Sequence, residues 1–231
     1  MGKKVAHQLR EKDEFDLIGV VSYEFDEKAP EAMYSNLTEV QDRADVIIDF
    51  SHPNNLDDIL AYAKKNKTKV VFATTGFSKE QLDKIEEASK EIAIFQSYNT
   101  SFGIQMVTKI LRQVAKEFYD NGYDIEILEK HHNQKIDAPS GTAKLLYEVM
   151  EDEIQGTTPV YDRSSLHEKR KKEETYSRTN NCPGIMFAGL DEIIEIKHTA
   201  LSKDVFVQGA LAAAKALQDK EAGLFTLKTL Y

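Results

Sequence analysis

Short apolar runs alternate with helix-like patterns along the first hundred residues, and this alternation limits the folds open to the chain. Four runs are nearly continuous, which is typical of strands covered on both faces of a parallel sheet: residues 16–21, 45–50, 69–73 and 92–95. Between them, two segments repeat apolar side chains every three or four positions, as amphipathic helices do: residues 55–65 and 79–90. The alternation predicts an α/β fold built on a doubly wound parallel sheet.

The remaining elements are predicted from the same periodicities. Helices are predicted at 1–13, 101–119, 142–154 and 205–217, and strands at 123–129 (half exposed) and 192–198. The last helix is alanine-rich and apolar on more than one side, so we expect it to pack deeply against the first domain. Residues 160–184 are polar with mixed charge, including HEKRKKEE, and are interpreted as a solvated loop or helix face.

Composition excludes several classes of protein. A net charge of −9 argues against a nucleic-acid partner, because neutralising phosphates requires an excess of basic residues. Cys182 is the single cysteine, so neither a disulfide framework nor a cysteine zinc site can form within the chain. No apolar run approaches the roughly 20 residues that span a bilayer, and no signal-peptide core is found. We therefore expect no membrane association and a reducing cytoplasmic location.

The segment 129–146, EKHHNQKIDAPSGTAKLL, concentrates residues suited to acid–base chemistry and anion binding. Ser140 can cap the helix that follows, and Gly141 lets a ligand approach the backbone closely. The N–H groups of Gly141, Thr142 and Ala143, together with the helix dipole, favour an anion such as a carboxylate or phosphate. An ordinary capped helix remains the alternative interpretation.

The front of this segment carries the titratable groups. His131 and His132 are adjacent in an extended stretch and point to opposite sides, so we do not expect them to bind one metal. A histidine is a natural proton donor near neutral pH, and Lys135 adds a cation that could hold a carboxylate or deliver a proton. Asp137 could orient Lys135 or hold the turn. Together they predict a site that grips a small carboxylate-bearing molecule and protonates a carbon or nitrogen.

HHNQKIDAPSGTA also resembles the signature of the 4-hydroxy-tetrahydrodipicolinate reductase (dihydrodipicolinate reductase) family, with every fixed position present. Four other segments resemble that family: DVIIDFSHP (45–53), FATTGFS (72–78), SYNTSFG (97–103) and FAGLDEIIEIKHTALSKDVFVQGAL (187–211). Ala73 stands where the family has the first glycine of its Gly-Thr-Thr-Gly-Phe segment.

The resemblance implies a fold and an activity. It implies a Rossmann-like nicotinamide dinucleotide-binding domain formed by residues 1–102 and 205–231, and an α+β substrate-binding and tetramerisation domain formed by 103–204. The implied protein is a cytoplasmic homotetramer of lysine and diaminopimelate biosynthesis. It transfers hydride from NADPH or NADH to the cyclic dicarboxylate 4-hydroxy-tetrahydrodipicolinate, and the product is tetrahydrodipicolinate.

The resemblance also assigns residues. His131 stands at the acid–base histidine and Lys135 at the proton-donating lysine, which makes them the expected catalytic pair. The positions matching substrate contacts are His132, Gly141 and Thr142. The positions matching cofactor contacts are Ala73, Thr74, Thr75, Ser97, Tyr98, Asn99 and Thr100.

Two departures from the family pattern carry consequences. The family's first strand and most of its glycine-rich loop have no counterpart before Gly2, and we expect further N-terminal residues before Met1. In SRTNNCPGIMFAG (177–189), only Arg178 matches an Arg-Gly-Gly segment, and a following Glu-His is missing. The alternative is therefore a noncatalytic or cofactor-impaired homologue that acts as a binding or assembly module.

The sequence does not choose between NADH and NADPH. The acidic residue that usually grips the ribose falls near Ser22, Tyr23 or Glu24, and Lys28 is the nearest base.

Overall fold

The computed structural model of the chain describes residues 1–24, 29–129, 140–161, 174–179 and 184–230. These residues form two compact units. One comprises Met1–Ser101 with Ser202–Tyr231, and the other comprises Phe102–Leu201. None of the helices in the described ranges is both long and apolar enough to cross a membrane.

The first unit contains a sheet surrounded by helices. Its elements are α1 (Gly2–Arg10), β1 (Val20–Val21), β2 (Met33–Tyr34), β3 (Val46–Asp49), α2 (Leu56–Asn66), β4 (Lys69–Phe72), α3 (Lys79–Ser89), β5 (Ala93–Gln96), α6 (Asp204–Ala216), β11 (Gly223–Phe225) and α7 (Leu227–Leu230). Short 3₁₀ helices span Leu37–Glu39 and Pro53–Asn55. The four main strands pair in parallel in the order β11-β5-β4-β3.

Alternate residues of these strands fill two apolar layers, one on each face of the sheet. Val70 and Ile94 pack with α2 and α3, whereas Val71 and Phe95 pack against the alanines of α6. All four side chains are fully buried. The nearly continuous apolar runs in the sequence follow from this double cover, and both the doubly wound α/β fold and the deep packing of α6 are confirmed.

The run at 16–21 differs from its prediction as a strand of the main sheet. Only Val20–Val21 forms a strand, and it pairs in parallel with Met33–Tyr34 in a separate two-stranded sheet. Its ladder begins where the Val20 N–H donates to Ala32 O at 2.9 Å. Since a strand exists only where a neighbour supplies hydrogen bonds, apolar character alone does not make 16–19 a strand.

The second unit packs two helices against a mixed sheet. Its elements are α4 (Phe102–Asp120), β6 (Asp124–Glu129), α5 (Gly141–Ile154), β7 (Thr158–Tyr161), β8 (Glu174–Thr179), β9 (Gly184–Ala188) and β10 (Ile193–Lys197). The strand order is β10-β9-β6-β8-β7. Ile125, Ile127 and Phe187 face α4 and α5 in one buried cluster. Arg112 on α4 lies 3.1 Å from both Asp152 and Glu153 on α5.

Two predictions for this unit were wrong in part. Residues 160–184 include β8 and the ends of β7 and β9, and most of HEKRKKEE lies outside the described residues. The strand β8 forms because it pairs with β6, which is distant in sequence, so local polarity does not reveal it. The strand β6 is also less exposed than predicted, since Glu126 and Glu129 are both buried.

Candidate functional site

Two segments that follow adjacent parallel strands meet at one edge of the first unit's sheet. Residues 73–76 follow β4 and residues 97–101 follow β5. The Ser97 N–H donates to Phe72 O at 3.1 Å, and the Ala73 N–H donates to Asp49 O at 2.9 Å. In open α/β sheets, ligands bind in the crevice outside the carboxyl ends of the strands. The structure therefore places the seven residues predicted to contact the cofactor at this edge of the sheet.

A buried carboxylate organises the first of these segments. Asp49, at the end of β3, is 5 % exposed. Its Oδ2 accepts a hydrogen bond from the Thr74 hydroxyl at 2.6 Å, and its Oδ1 accepts from the N–H and hydroxyl of Ser51 at 3.0 and 2.5 Å. Ala73 and Thr74 are buried, whereas Thr75 and Gly76 are exposed. Gly76 has a φ of +86°, a backbone conformation that residues with a Cβ rarely adopt.

The second segment is held by its own hydrogen bonds. The Ser97 hydroxyl donates to Asn99 O at 2.7 Å, and the Ser101 N–H donates to Asn99 Oδ1 at 2.9 Å. The Thr100 hydroxyl donates to Phe206 O of α6 at 2.6 Å. Ser97, Asn99 and Thr100 are buried, and Tyr98 is half-buried. Because these hydroxyl and amide groups bond within the protein, we expect the exposed Thr75 side chain, the half-buried Tyr98 side chain and the main chain to offer the ligand contacts.

The predicted ribose-binding stretch lies after β1. The Tyr23 hydroxyl donates to Asn55 Oδ1 at 3.2 Å, and the Glu24 N–H donates to the Ser22 hydroxyl at 3.1 Å. The Tyr23 side chain is 84 % exposed. Lys28 lies outside the described residues.

In the second unit, Ser140 caps α5 as predicted. Its hydroxyl accepts a hydrogen bond from the Ala143 N–H at 3.1 Å. That bond corrects one expectation, since the Ala143 N–H is already used and is not open to an anion. Gly141 and Thr142 are half-buried in the first turn of the helix.

A second buried carboxylate, absent from the sequence prediction, lies behind this helix start. Glu129 ends β6 with 0 % exposure, and its two oxygens accept from the Ser140 N–H at 3.0 and 3.3 Å. It is in phase with Ile125 and Ile127, which face the helices, and this phase is the sequence signal that could have identified it. The bond joins the two residues that flank 130–139 in the chain.

His131, His132 and Lys135, together with Asp137 and Pro139, lie outside the described residues. Their roles therefore remain predictions from the sequence. Within the described ranges, no group of three histidine, cysteine, aspartate or glutamate residues could hold a metal ion.

Comparison with protein families shows to which family the chain belongs. The family described as dihydrodipicolinate reductase, N-terminus, matches residues 1–100, and the family described as dihydrodipicolinate reductase, C-terminus, matches residues 103–230. The chain belongs to the dihydrodipicolinate reductase family. Both matches together cover nearly its whole length.

Individual members of the dihydrodipicolinate reductase family match over most of their length. The 4-hydroxy-tetrahydrodipicolinate reductase of Exiguobacterium sibiricum is 52 % identical over 204 residues, which are 86 % of this chain and 81 % of that protein. The Clostridium novyi reductase of the same name is 43 % identical over 233 residues, covering 98 % of this chain and 92 % of that protein.

Solved structures support the fold. A dipicolinate-bound dihydrodipicolinate reductase from Paenisporosarcina sp. TG-14 superimposes with a TM-score of 0.75 at 20 % identity, covering 97 % of this chain and 92 % of that chain. A C. glutamicum DAP dehydrogenase in complex with DAP gives a TM-score of 0.56 at 10 % identity, covering 99 % and 92 %. At these low sequence identities, the structural similarity shows a shared fold and nothing more.

Replacing Glu129 with alanine in this reductase-family chain is expected to destabilise the second unit by about 2 kcal/mol, because the buried Ser140 N–H loses its acceptor. Glu129→Gln, which keeps one acceptor oxygen, is expected to destabilise the second unit by less. Thermal and urea unfolding measure the effect, with the exposed Glu117→Ala on α4 as the matched control. Equal stability of Glu129→Ala and Glu117→Ala would show that the bond between Glu129 and Ser140 contributes nothing.

Proposed function

We propose that the chain catalyses the NADPH- or NADH-dependent reduction of 4-hydroxy-tetrahydrodipicolinate to tetrahydrodipicolinate, a step of lysine and diaminopimelate biosynthesis. The match of both halves of the chain to one reductase family carries this proposal. The meeting of residues 73–76 and 97–101 at the carboxyl edge of the parallel sheet supports it, because this edge suits a dinucleotide.

In this proposal, the first unit binds the cofactor. The described segments supply backbone groups and the side chains of Thr75 and Tyr98, while the buried hydrogen bonds of Thr74, Ser97 and Thr100 keep the segments rigid. When bound, the nicotinamide supplies the hydride, and the protein supplies orientation and charge.

The second unit binds the dicarboxylate in the same proposal. The N-terminus of α5 presents Gly141 and Thr142 to a carboxylate, which the helix dipole stabilises. His132 contributes a further contact, while His131 and Lys135 act as acid–base histidine and proton donor as the substrate accepts hydride. Dipicolinate is bound by the Paenisporosarcina reductase and is the natural probe for this site.

We also propose a cytoplasmic homotetramer. Support comes from the sheet of the second unit. The helices α4 and α5 pack on one face of this sheet, against Ile125 and Ile127. On the opposite face, Glu126, Met186 and Glu195 lie side by side in register. The nearby Ile193 is 61 % exposed. Sedimentation analysis of the purified protein tests the tetramer.

The activity is tested by turnover. The purified chain is mixed with freshly generated substrate and either NADH or NADPH, and the loss of nicotinamide absorbance is followed. We expect substrate-dependent oxidation of at least one nucleotide, inhibited by dipicolinate. A folded protein that oxidises neither nucleotide would contradict the proposal and favour the binding or assembly module.

A further inference from the structure

Asp49 is a buried carboxylate at the sheet edge described above, and it accepts three hydrogen bonds. A buried charge is tolerated only when donors replace its lost hydration. In the described ranges its partners are not cations but the Thr74 hydroxyl and the N–H and hydroxyl of Ser51, at 2.5 to 3.0 Å. The carboxylate therefore ties the end of β3 to the segment after β4.

A series of hydrogen bonds leads from Tyr23 to this carboxylate. The Tyr23 hydroxyl donates to Asn55 Oδ1 at 3.2 Å, and Asn55 Nδ2 donates to the Ser51 hydroxyl oxygen at 3.0 Å. Ser51 in turn donates to Asp49. Hydrogen bonds that run in one direction polarise and strengthen one another. These hydrogen bonds, together with the bond from Thr74 to Asp49, link the ends of β1, β3 and β4 in one network.

The bond from the Thr74 hydroxyl to Asp49 anchors the segment that follows β4. Thr74 is 3 % exposed with its hydroxyl directed inward, and the next two residues, Thr75 and Gly76, are exposed. Gly76 has a φ of +86°. Without an inward anchor, this segment could hold Thr75 in several orientations, and fixing one of them on binding would reduce the affinity.

We propose that Asp49 is a positioning residue of the nicotinamide-nucleotide site: through the Thr74 hydroxyl, its carboxylate holds residues 74–76 in the orientation that Thr75 and Gly76 need to contact the cofactor. This inference rests on the proposed function. It assigns Thr74 an inward anchoring role and leaves ligand contact to its neighbours.

The test compares nucleotide affinity in the wild-type chain and in variants of the anchor. NADH and NADPH dissociation constants are measured by fluorescence titration, alongside the unfolding temperature. Thr74→Val keeps the side-chain shape but removes the hydroxyl, and is expected to raise the dissociation constant roughly tenfold, the loss of one charge-assisted hydrogen bond. Thr74→Ser restores a hydroxyl and is expected to stay within about threefold of wild type.

Asp49→Asn tests the same bond from the other side, and its effect is expected not to add to that of Thr74→Val, because both remove one interaction. Asp58→Asn, on the exposed side of α2, is the matched control. A folded Thr74→Val protein with wild-type affinity would overturn the inference. A Thr74→Ser protein that binds nucleotide as weakly as Thr74→Val would also overturn it, since the loss of affinity would then not depend on the hydroxyl. A wild-type chain that binds neither nucleotide would overturn the proposed function itself, before any variant is compared.

Discussion

Gly209→Ala is expected to destabilise the chain by about 3 kcal/mol, although the substitution should favour the helix locally. Glycine within a helix costs about 1 kcal/mol relative to alanine, so propensity alone predicts a gain in stability. The tertiary contact predicts the opposite, because a Cβ at Gly209 would lie 1.6 Å from Thr100 O. The backbone of the 97–101 segment would have to move, and Thr100 would lose its bond to Phe206.

The sign of the change in unfolding temperature decides between these two effects. A fall of roughly 6–12 °C is expected for a chain of this size. Gly2→Ala in α1 is the matched control, because a Cβ there meets nothing within 4 Å. Nucleotide affinity should also fall in Gly209→Ala, since the displaced segment carries predicted cofactor contacts. A variant at least as stable as wild type would show that α6 and the 97–101 segment are not closely packed.

His131→Gln is expected to reduce kcat by roughly 100- to 10,000-fold with little change in folding, if the histidine transfers a proton in the rate-limiting transition state. Steady-state turnover and circular dichroism measure the two quantities. His7→Gln, on the exposed surface of α1, controls for loss of a histidine. Nucleotide affinity should stay at the wild-type value, because this residue is assigned to the substrate. Turnover near that of wild type would remove His131 from the catalytic role.

Local periodicity was sufficient to predict the regular core of the fold. The helices α2, α3 and α4 begin and end within about a residue of their predicted limits, because each turns one apolar face to the core. The strands β3, β4 and β5 were found because both of their faces are covered. The pairing of β1 with β2 and of β8 with β6 was not predicted, since partners far apart in sequence leave no periodic signal.

The site was predicted unevenly for a related reason. The cap at Ser140 is a local interaction, and the sequence motif identified it. The roles of Asp49 and Glu129 depend on contacts with Thr74 and Ser140, which are 25 and 11 positions away. Each is an acidic residue that ends a strand and points to a buried side. A search for such residues would have found both.

We expect this chain to bind a nicotinamide nucleotide and a dicarboxylate as a working reductase. Fluorescence titration of the 231-residue protein with NADH and with NADPH, without and then with dipicolinate, tests it most directly. We expect saturable binding of at least one nucleotide and a measurable effect of dipicolinate on that binding. A folded protein that binds neither nucleotide under either condition would contradict it.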